Sequence, residues 1–479
     1  MNASKSSSLE THLVYIFIPL LIIALLPLDF MDLGMWVAQG RKSLENFQNI
    51  YHDSFSVLAT DNNVSSAWLQ SIVYALIEKF LGLQGILYYH YAILLCLFGF
   101  YSYDLFGRNH EKTSLILRIS FYVSTFMSVG IFRHRPALAG YFLTFVSLKL
   151  ILNFQNKKRD YILLILLQLL WVNVHASFVL LPMFFMWRAF WKFVDDKKLV
   201  NFSKTLLLFL LMLVSCLVNP FGFQIFPYLI KTAVYAQQLR INEWMAPSLT
   251  YHLILWSTLF LILFFMKMLS FKSLFKIFKS PFFVLIVLSV SGMRNFYLFI
   301  FLFPLMLKEL IAFESDSIRM ASTKASSAWV RRPLAFVFSG LFLMSINLET
   351  KKYLLPYLHP ELRDLYGDDA LFEIAKYINT SVPSNCALLN NPSYGSFLMM
   401  QTSHKIFLDG RSTVFTPAAV SEFIEYKNLR ATPRLIKKYN PCFAVLALRP
   451  DQRLIEDLIK NWNFSEIARE RGAVLLRSL

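Results

Sequence analysis

Apolar runs recur between residues 12 and 347 and then stop. They fall at 12–28, 84–105, 115–131, 136–154, 161–173, 175–193, 204–218, 250–268, 281–293, 296–312 and 334–347. A membrane-spanning helix needs roughly 20 apolar residues, and fewer where a helix breaks at membrane depth inside a protein, so the pattern predicts about eleven transmembrane helices. Two segments between them are long. Residues 29–82 mix polar stretches with an amphipathic piece, in which Leu69, Val73, Leu76 and Phe80 recur at helical spacing. That piece is predicted to lie at the membrane interface. Residues 221–247 carry aromatics suited to the same depth.

From residue 348 onward the pattern is that of a soluble domain. Predicted strands at 386–389, 405–408, 442–448 and 473–476 alternate with predicted helices at 370–378, 417–429, 433–439 and 451–461. Alternation of this kind argues a small α/β sheet. Asn390-Asn391-Pro392-Ser393 is expected to be the turn after the first strand. The predicted architecture is an α-helical polytopic membrane module, residues 1–347, followed by a C-terminal α/β domain, residues 348–479.

Composition agrees. The chain is 56% hydrophobic and only 16% charged, with 47 Phe and a formal net charge of +17. Soluble domains carry about 25% charge. The positive balance does not point to nucleic acid, because the basic residues sit in short loops between apolar runs. Arg108, Lys112, Lys157, Lys158, Arg159, Lys192, Lys197, Lys198, Lys272, Lys276, Lys279, Arg319, Lys324, Arg331 and Arg332 fall in alternate loops. By the positive-inside rule those loops are cytoplasmic, the N-terminus is inside, and an odd number of spans puts the tail outside. The first apolar run is followed by Leu-Pro-Leu-Asp instead of a small-residue cleavage site, and reads as an uncleaved anchor. Cys96 and Cys216 lie in apolar runs and read as packing residues. Cys386 and Cys442 each open a tail strand and could pair.

The polar residues near span ends gather on the outside. Ionisable groups at membrane depth are costly and are usually functional. Asp32 follows the first span, where a carboxylate could take a proton from a hydroxyl. His52-Asp53 in the same segment could add a second acid or hold a divalent cation, although a metal site needs three or four convergent ligands. Arg133-His134-Arg135-Pro136 makes a tight cationic turn suited to phosphate, which guanidinium groups bind bidentately. Snorkelling to lipid head groups is the bland alternative. Asn173 and His175 interrupt a long apolar stretch at a predicted outside turn. Asn219-Pro220-Phe221-Gly222 reads as a span terminator. Glu243-Trp244 could bind sugar hydroxyls and stack on a ring, or the Trp could simply anchor at the interface. Arg294, between two short apolar runs, needs an anionic partner. In the tail, Asp409-Gly410-Arg411 follows a strand end, where ligands bind in α/β sheets, and equally suits an internal salt-bridged turn. The sequence contains no P-loop, GxGxxG, HExxH, CxxC or GxSxG.

In this order, these motifs resemble the GT-C superfamily of polytopic membrane glycosyltransferases that use polyprenyl-phosphate-linked sugars, and bacterial members in particular. The stretches that carry the likeness are Asp32-Leu33-Gly34-Met35-Trp36…Gly40, Asp53-Ser54-Phe55-Ser56 and Ala67-Trp68-Leu69. They continue with Arg135-Pro136, Trp171-Val172-Asn173-Val174-His175-Ala176-Ser177, Asn219-Pro220-Phe221-Gly222, Glu243-Trp244, Arg294-Asn295 and Asp409-Gly410-Arg411. The chain departs from the pattern at Phe30, at Met35-Trp36 and at Ala67, where the resemblance leads one to expect Asp, Trp-His and Glu. The resemblance implies an inverting glycosyltransferase of the cytoplasmic membrane. Asp32, with Asp53, is implied to be catalytic. Arg133, Arg135, His175 and Arg294 are implied to hold the lipid phosphate. His134, Asn173, Glu243, Trp244, Asp409 and Arg411 are candidates for the rest of the substrate. The expected partners are membrane lipid, a lipid-linked sugar donor and a glycan, lipid or protein acceptor. No cofactor is certain. The rival expectations are a non-catalytic scaffold of envelope assembly, whose tail does the binding, and a lipid or polysaccharide translocator.

Overall fold

A computed structural model describes residues 15, 19–20, 30–59, 63–106, 115–132, 135–196, 199–238, 242–249, 251, 253, 271–318, 368–383, 385–411, 414–416, 418–419, 421–422, 425, 432–448, 450 to 470 and 472 to 479. The boundary at 347/348, the span at 334–347, and nearly all of the spans at 12–28 and 250–268 lie outside the described residues. So do Arg133, His134 and most of the helix expected at 417–429.

The described chain is mainly helical. It runs α1 (Phe30–Glu45), α2 (Trp68–Phe106), α3 (Leu115–Met127), α4 (Ala137–Leu152), α5 (Lys158–Val174) and α6 (Leu180–Asp196). Next come α7 (Leu199–Ser215), α8 (Ile225–Gln238), α9 (Phe271–Lys279), α10 (Phe282–Ser289) and α11 (Met293–Ile318). Among the described residues two helical stretches are long and apolar enough to cross a bilayer, Trp68–Phe106 and Ala176–Asp195; Ala137–Leu152 and Ser203–Ser215 are apolar but shorter. The helices pack around an aromatic core. Phe98, Phe132 and Tyr101 surround Phe301, and the buried Tyr101 hydroxyl donates to the Phe301 carbonyl at 2.7 Å.

The amphipathic piece and the second predicted span are one broken helix. In α2 the break is at Gly82, with φ 69° and ψ −175°. The two arms fold toward each other, so that Tyr74 Oη lies 2.7 Å from His90 Nε2 and Gln70 Nε2 donates to Tyr89 Oη at 3.1 Å. That backbone conformation is essentially reserved for glycine and costs another residue about 1–3 kcal/mol. A Cβ at Gly82 would meet nothing within 4 Å, so the penalty is purely conformational. Gly82→Ala is therefore expected to lower thermal stability by about 1–3 kcal/mol. A thermal-shift assay in detergent that finds no loss would contradict this account of the break.

The tail contains α12 (Asp368–Ser381), β1 (Leu388–Asn390), α13 (Pro392–Gln401), α14 (Thr432–Tyr439), β2 (Phe443–Ala447), α15 (Gln452–Asn461), β3 (Phe464–Glu470) and β4 (Ala473–Ser478). The sheet order is β1-β2-β4-β3, with β1 parallel to β2 and the other pairs antiparallel. Three expectations change here. The expected Asn-Asn-Pro-Ser turn starts a helix, because Asn391 accepts the Ser393 N–H at 2.9 Å and Pro392 suits the first helical position. The segment at 405–408 is reduced to single bridges at Ile406. Strand β3, which alternates weakly and is largely polar, was not anticipated. Cys386 and Cys442 are joined in a disulfide.

The first long loop and the tail share their cores. Leu33, Met35, Val37, Ala38 and Tyr74 are buried with Leu371, Ile374, Phe397, Met399 and Val445. Leu58 is buried with Phe407, Phe415 and Leu446. Residues 55–57 lie beside Ile406 like an added strand: Val57 N donates to Ile406 O at 2.9 Å, and Ile406 N to Phe55 O at 2.8 Å. The motif glycine Gly34 allows α1 to touch α13, since a Cβ there would stand 2.4 Å from the Ser396 carbonyl.

Candidate active site

The residues singled out by sequence fall into two groups. The first lies under the start of α1. Arg411 binds Asp409 through Nε at 2.9 Å and Nη2 at 2.6 Å, and its Nη1 binds Asp53. The second oxygen of Asp53 accepts the Ser56 N–H at 2.9 Å. Both carboxylates are shielded completely and the guanidinium almost so. Burial alone would lower the Arg411 pKa, but Asp409 and then Asp53 outweigh it, and the pKa is raised. Phe55 lies under the guanidinium, 5.3 Å away. The Asp-Gly-Arg turn also meets α1, since a Cβ on Gly410 would sit 3.3 Å from Met35 Sδ. Asp32 is in the first turn of that helix, and its side chain lies outside the described atoms.

The second group gathers where the turn before α4 meets the start of α11. Arg135 pairs with Glu243 Oε1, and Arg294 Nη2 donates to Glu243 Oε2 at 2.9 Å. Trp244 lies against the Arg294 guanidinium at 5.4 Å. The Met293 N–H binds the Met245 carbonyl at 3.0 Å, which fixes the Glu-Trp segment to the helix that carries Arg294. Arg294 thus has the anionic partner that its depth requires. One carboxylate is shared by two guanidinium groups, so the trio carries a net positive charge. The buried Arg294 Nε has no hydrogen-bond partner among the described residues. The charge of Arg294 also reaches His175 and the buried Tyr141, a neighbour that no sequence motif marked.

For Glu243, burial alone would raise the pKa; Arg294 and then Arg135 outweigh it and hold it at about 2. A depressed carboxylate pKa means that the stabilisation is complete above the ordinary carboxylate range and is lost as pH falls through about 2. The Glu243–Arg294 coupling, measured with a double-mutant cycle of Glu243→Gln and Arg294→Gln, is therefore expected to be the same at pH 5 and pH 8. Loss of coupling by pH 5 would contradict the assignment.

The remaining motif residues join elements. Asn173 Oδ1 accepts the Trp68 indole N–H at 2.9 Å, and its Nδ2 donates to Val218 O at 2.9 Å. Asn219 accepts the Phe221 N–H at 2.8 Å and closes the turn after α7. Arg41, which the sequence reading passed over, spans Glu78 and the Met400 carbonyl, the latter at 2.6 Å. Its only sequence signal is an arginine inside an otherwise apolar helical face. Among the described residues no three His, Cys, Asp or Glu side chains come together as metal ligands.

By sequence, neither a protein-family model nor a curated protein matches the chain. Solved structures do match its fold. The oligosaccharyltransferase of Archaeoglobus fulgidus in its apo form aligns with a TM-score of 0.53 at 9% identity, over 98% of this chain and 74% of that one. The same enzyme tethered to an acceptor peptide gives 0.51 at 10% identity, over the same shares. ArnT from Cupriavidus metallidurans in the apo state gives 0.49 at 11% identity, over 99% and 97%. At these identities the likeness is one of fold. The chain shares the fold of the oligosaccharyltransferase, a fold in keeping with the GT-C resemblance of its motifs: a helical body carrying a small sheet domain.

Proposed function

We propose that the chain is an integral-membrane glycosyltransferase that moves a sugar from a polyprenyl-phosphate carrier to an extracytoplasmic acceptor. The observation that carries this is the Arg135–Glu243–Arg294 trio, with a guanidinium donor unspent. A buried guanidinium with free donors is built for a phosphate oxygen. As the sugar leaves, charge develops on that oxygen, and preorganised cations stabilise it. Asp32 takes the proton of the acceptor hydroxyl, and in-line attack at the anomeric carbon inverts its configuration. Trp244 offers a face to the sugar ring. Asp53 has both oxygens engaged by Arg411 and Ser56, so it positions the loop instead of reacting.

Contacts between the first loop and the tail support an extracytoplasmic site. The first loop and the tail bind each other directly, so both lie on one side of the membrane. An even number of crossings then separates them, as ten of about eleven predicted spans would supply. The Cys386–Cys442 disulfide suits an oxidising compartment, which favours the extracytoplasmic side and a cytoplasmic N-terminus.

The test is binding. The purified protein in nanodiscs is expected to bind undecaprenyl phosphate, with Arg294→Gln weakening it about tenfold or more, as expected for loss of a charge-assisted hydrogen bond. Native mass spectrometry reads this directly. Equal binding by both proteins would remove Arg294 from the site, and no binding by the wild type would overturn the donor class.

A further inference from the structure

His175 ends α5 with an extended backbone, φ −160° and ψ 144°, and heads the short helical turn Ala176–Val179. Its Nδ1 accepts the Ser177 backbone N–H at 3.1 Å. The Ser177 hydroxyl lies 2.7 Å from the same nitrogen. That hydroxyl accepts the Trp171 indole N–H at 3.1 Å, which leaves its own proton free to point at Nδ1. Behind the ring is Gly140 of α4. A Cβ there would stand 2.6 Å from His175 Nδ1 and 2.8 Å from Ser177 Oγ, closer than real contacts allow.

A backbone N–H can only donate, so Nδ1 is an acceptor. The ring proton of a neutral imidazole must then be on Nε2. Nε2 has no hydrogen-bond partner among the described residues, the residue is partly exposed, and the charge of Arg294 reaches the ring. An imidazole whose one nitrogen is occupied from behind presents the other as a fixed donor.

We propose that Ser177 and Gly140 are positioning residues, which lock His175 as a neutral Nε2–H donor for a phosphate oxygen. The proposal rests on the lipid-phosphate reading of the Arg294 site. It explains the motif in chemical terms. Trp171 orients the serine hydroxyl, the hydroxyl seats the ring, the backbone N–H of the same residue fixes the tautomer, and the glycine leaves room for both side chains. A neutral donor binds a phosphate oxygen without adding a second charge beside Arg294.

The experiment uses full-length protein labelled with ¹⁵N-histidine in nanodiscs, with the His175 signals assigned by their loss in His175→Gln. The expected spectrum shows an unprotonated Nδ1 and a protonated Nε2. Ser177→Ala keeps the backbone N–H and is expected to keep the tautomer, but to shift the Nδ1 resonance by loss of the hydroxyl contact, and Ser177→Thr to restore it. Undecaprenyl phosphate is expected to move the Nε2 resonance. Its affinity should fall about five- to tenfold in His175→Ala, which removes the donor, and in Ser177→Ala and Gly140→Ala, which unseat it. A protonated Nδ1, or an Nδ1 resonance that Ser177→Ala leaves unmoved, overturns the proposal. The expected tautomer with no response to undecaprenyl phosphate leaves the lock standing, but overturns its aim at that ligand together with the lipid-phosphate reading.

Discussion

Replacing Asp32 by Asn is expected to reduce sugar transfer by about 10²–10⁴-fold, the usual contribution of a general base, without changing the amount of protein in the membrane. Asn has nearly the same shape and cannot accept the acceptor's proton at neutral pH. The fold has little reason to notice the change. Asp32 sits in the first turn of a helix that is held by its neighbours: Leu33 and Met35 are in the tail's core, and Gly34 lies against Ser396. The measurement is polyprenyl phosphate released from a polyprenyl-phosphate sugar by proteoliposomes, with membrane extract as the source of acceptor. Binding of undecaprenyl phosphate by the variant should stay normal, which separates chemistry from donor recognition. Near wild-type release would remove Asp32 from the mechanism.

Arg411→Met is expected to cost about 3–5 kcal/mol of stability, the range for removing one partner of a buried ion pair. Two carboxylates, Asp53 and Asp409, share this guanidinium, and neither is exposed. Methionine fills much of the volume but leaves both charges without a counterion. Lysine is expected to rescue little, because a single ammonium cannot reproduce the fork that Nε, Nη1 and Nη2 make across the two acids. The readouts are the unfolding midpoint in detergent and the protease resistance of residues 46–59. The latter should fall most, because Asp53 and Ser56 anchor that segment to the tail. A loss under about 1 kcal/mol would place this cluster among weak surface pairs.

The two experiments address different roles: Asp32 is the proposed base, and Arg411 ties the first loop to the tail. From the chain alone, the polar groups near span ends were expected to gather on the outside. The helices of the described apolar runs were legible because each run is long and apolar. Arg294 and Glu243 were legible for a related reason: charge near membrane depth demands explanation, and here each explains the other. Pairing across the chain was not legible. Nothing local in Asp53 says that its partner lies 358 positions away, and an Asp-Gly-Arg turn reads alike whether it binds a ligand or a loop. Helix α1 was read as loop because Asp, Gly and Gln interrupt its apolar residues, and it draws on tertiary packing against α2 and α13 to hold its shape. Strand β3 was missed because an exposed, bulged edge strand lacks the apolar alternation that marks its neighbours. Ser177 stood within a recognised motif, but its role became visible only when Gly140 of another helix appeared behind His175.

The most direct measurement of the central claim is an experimental structure of the protein in nanodiscs with undecaprenyl phosphate. The phosphate is expected within hydrogen-bond distance of Arg294 and His175 Nε2, with the Asp32 carboxylate opening onto the same space. A phosphate bound away from Arg294, or an Asp32 on the opposite membrane face, would contradict it.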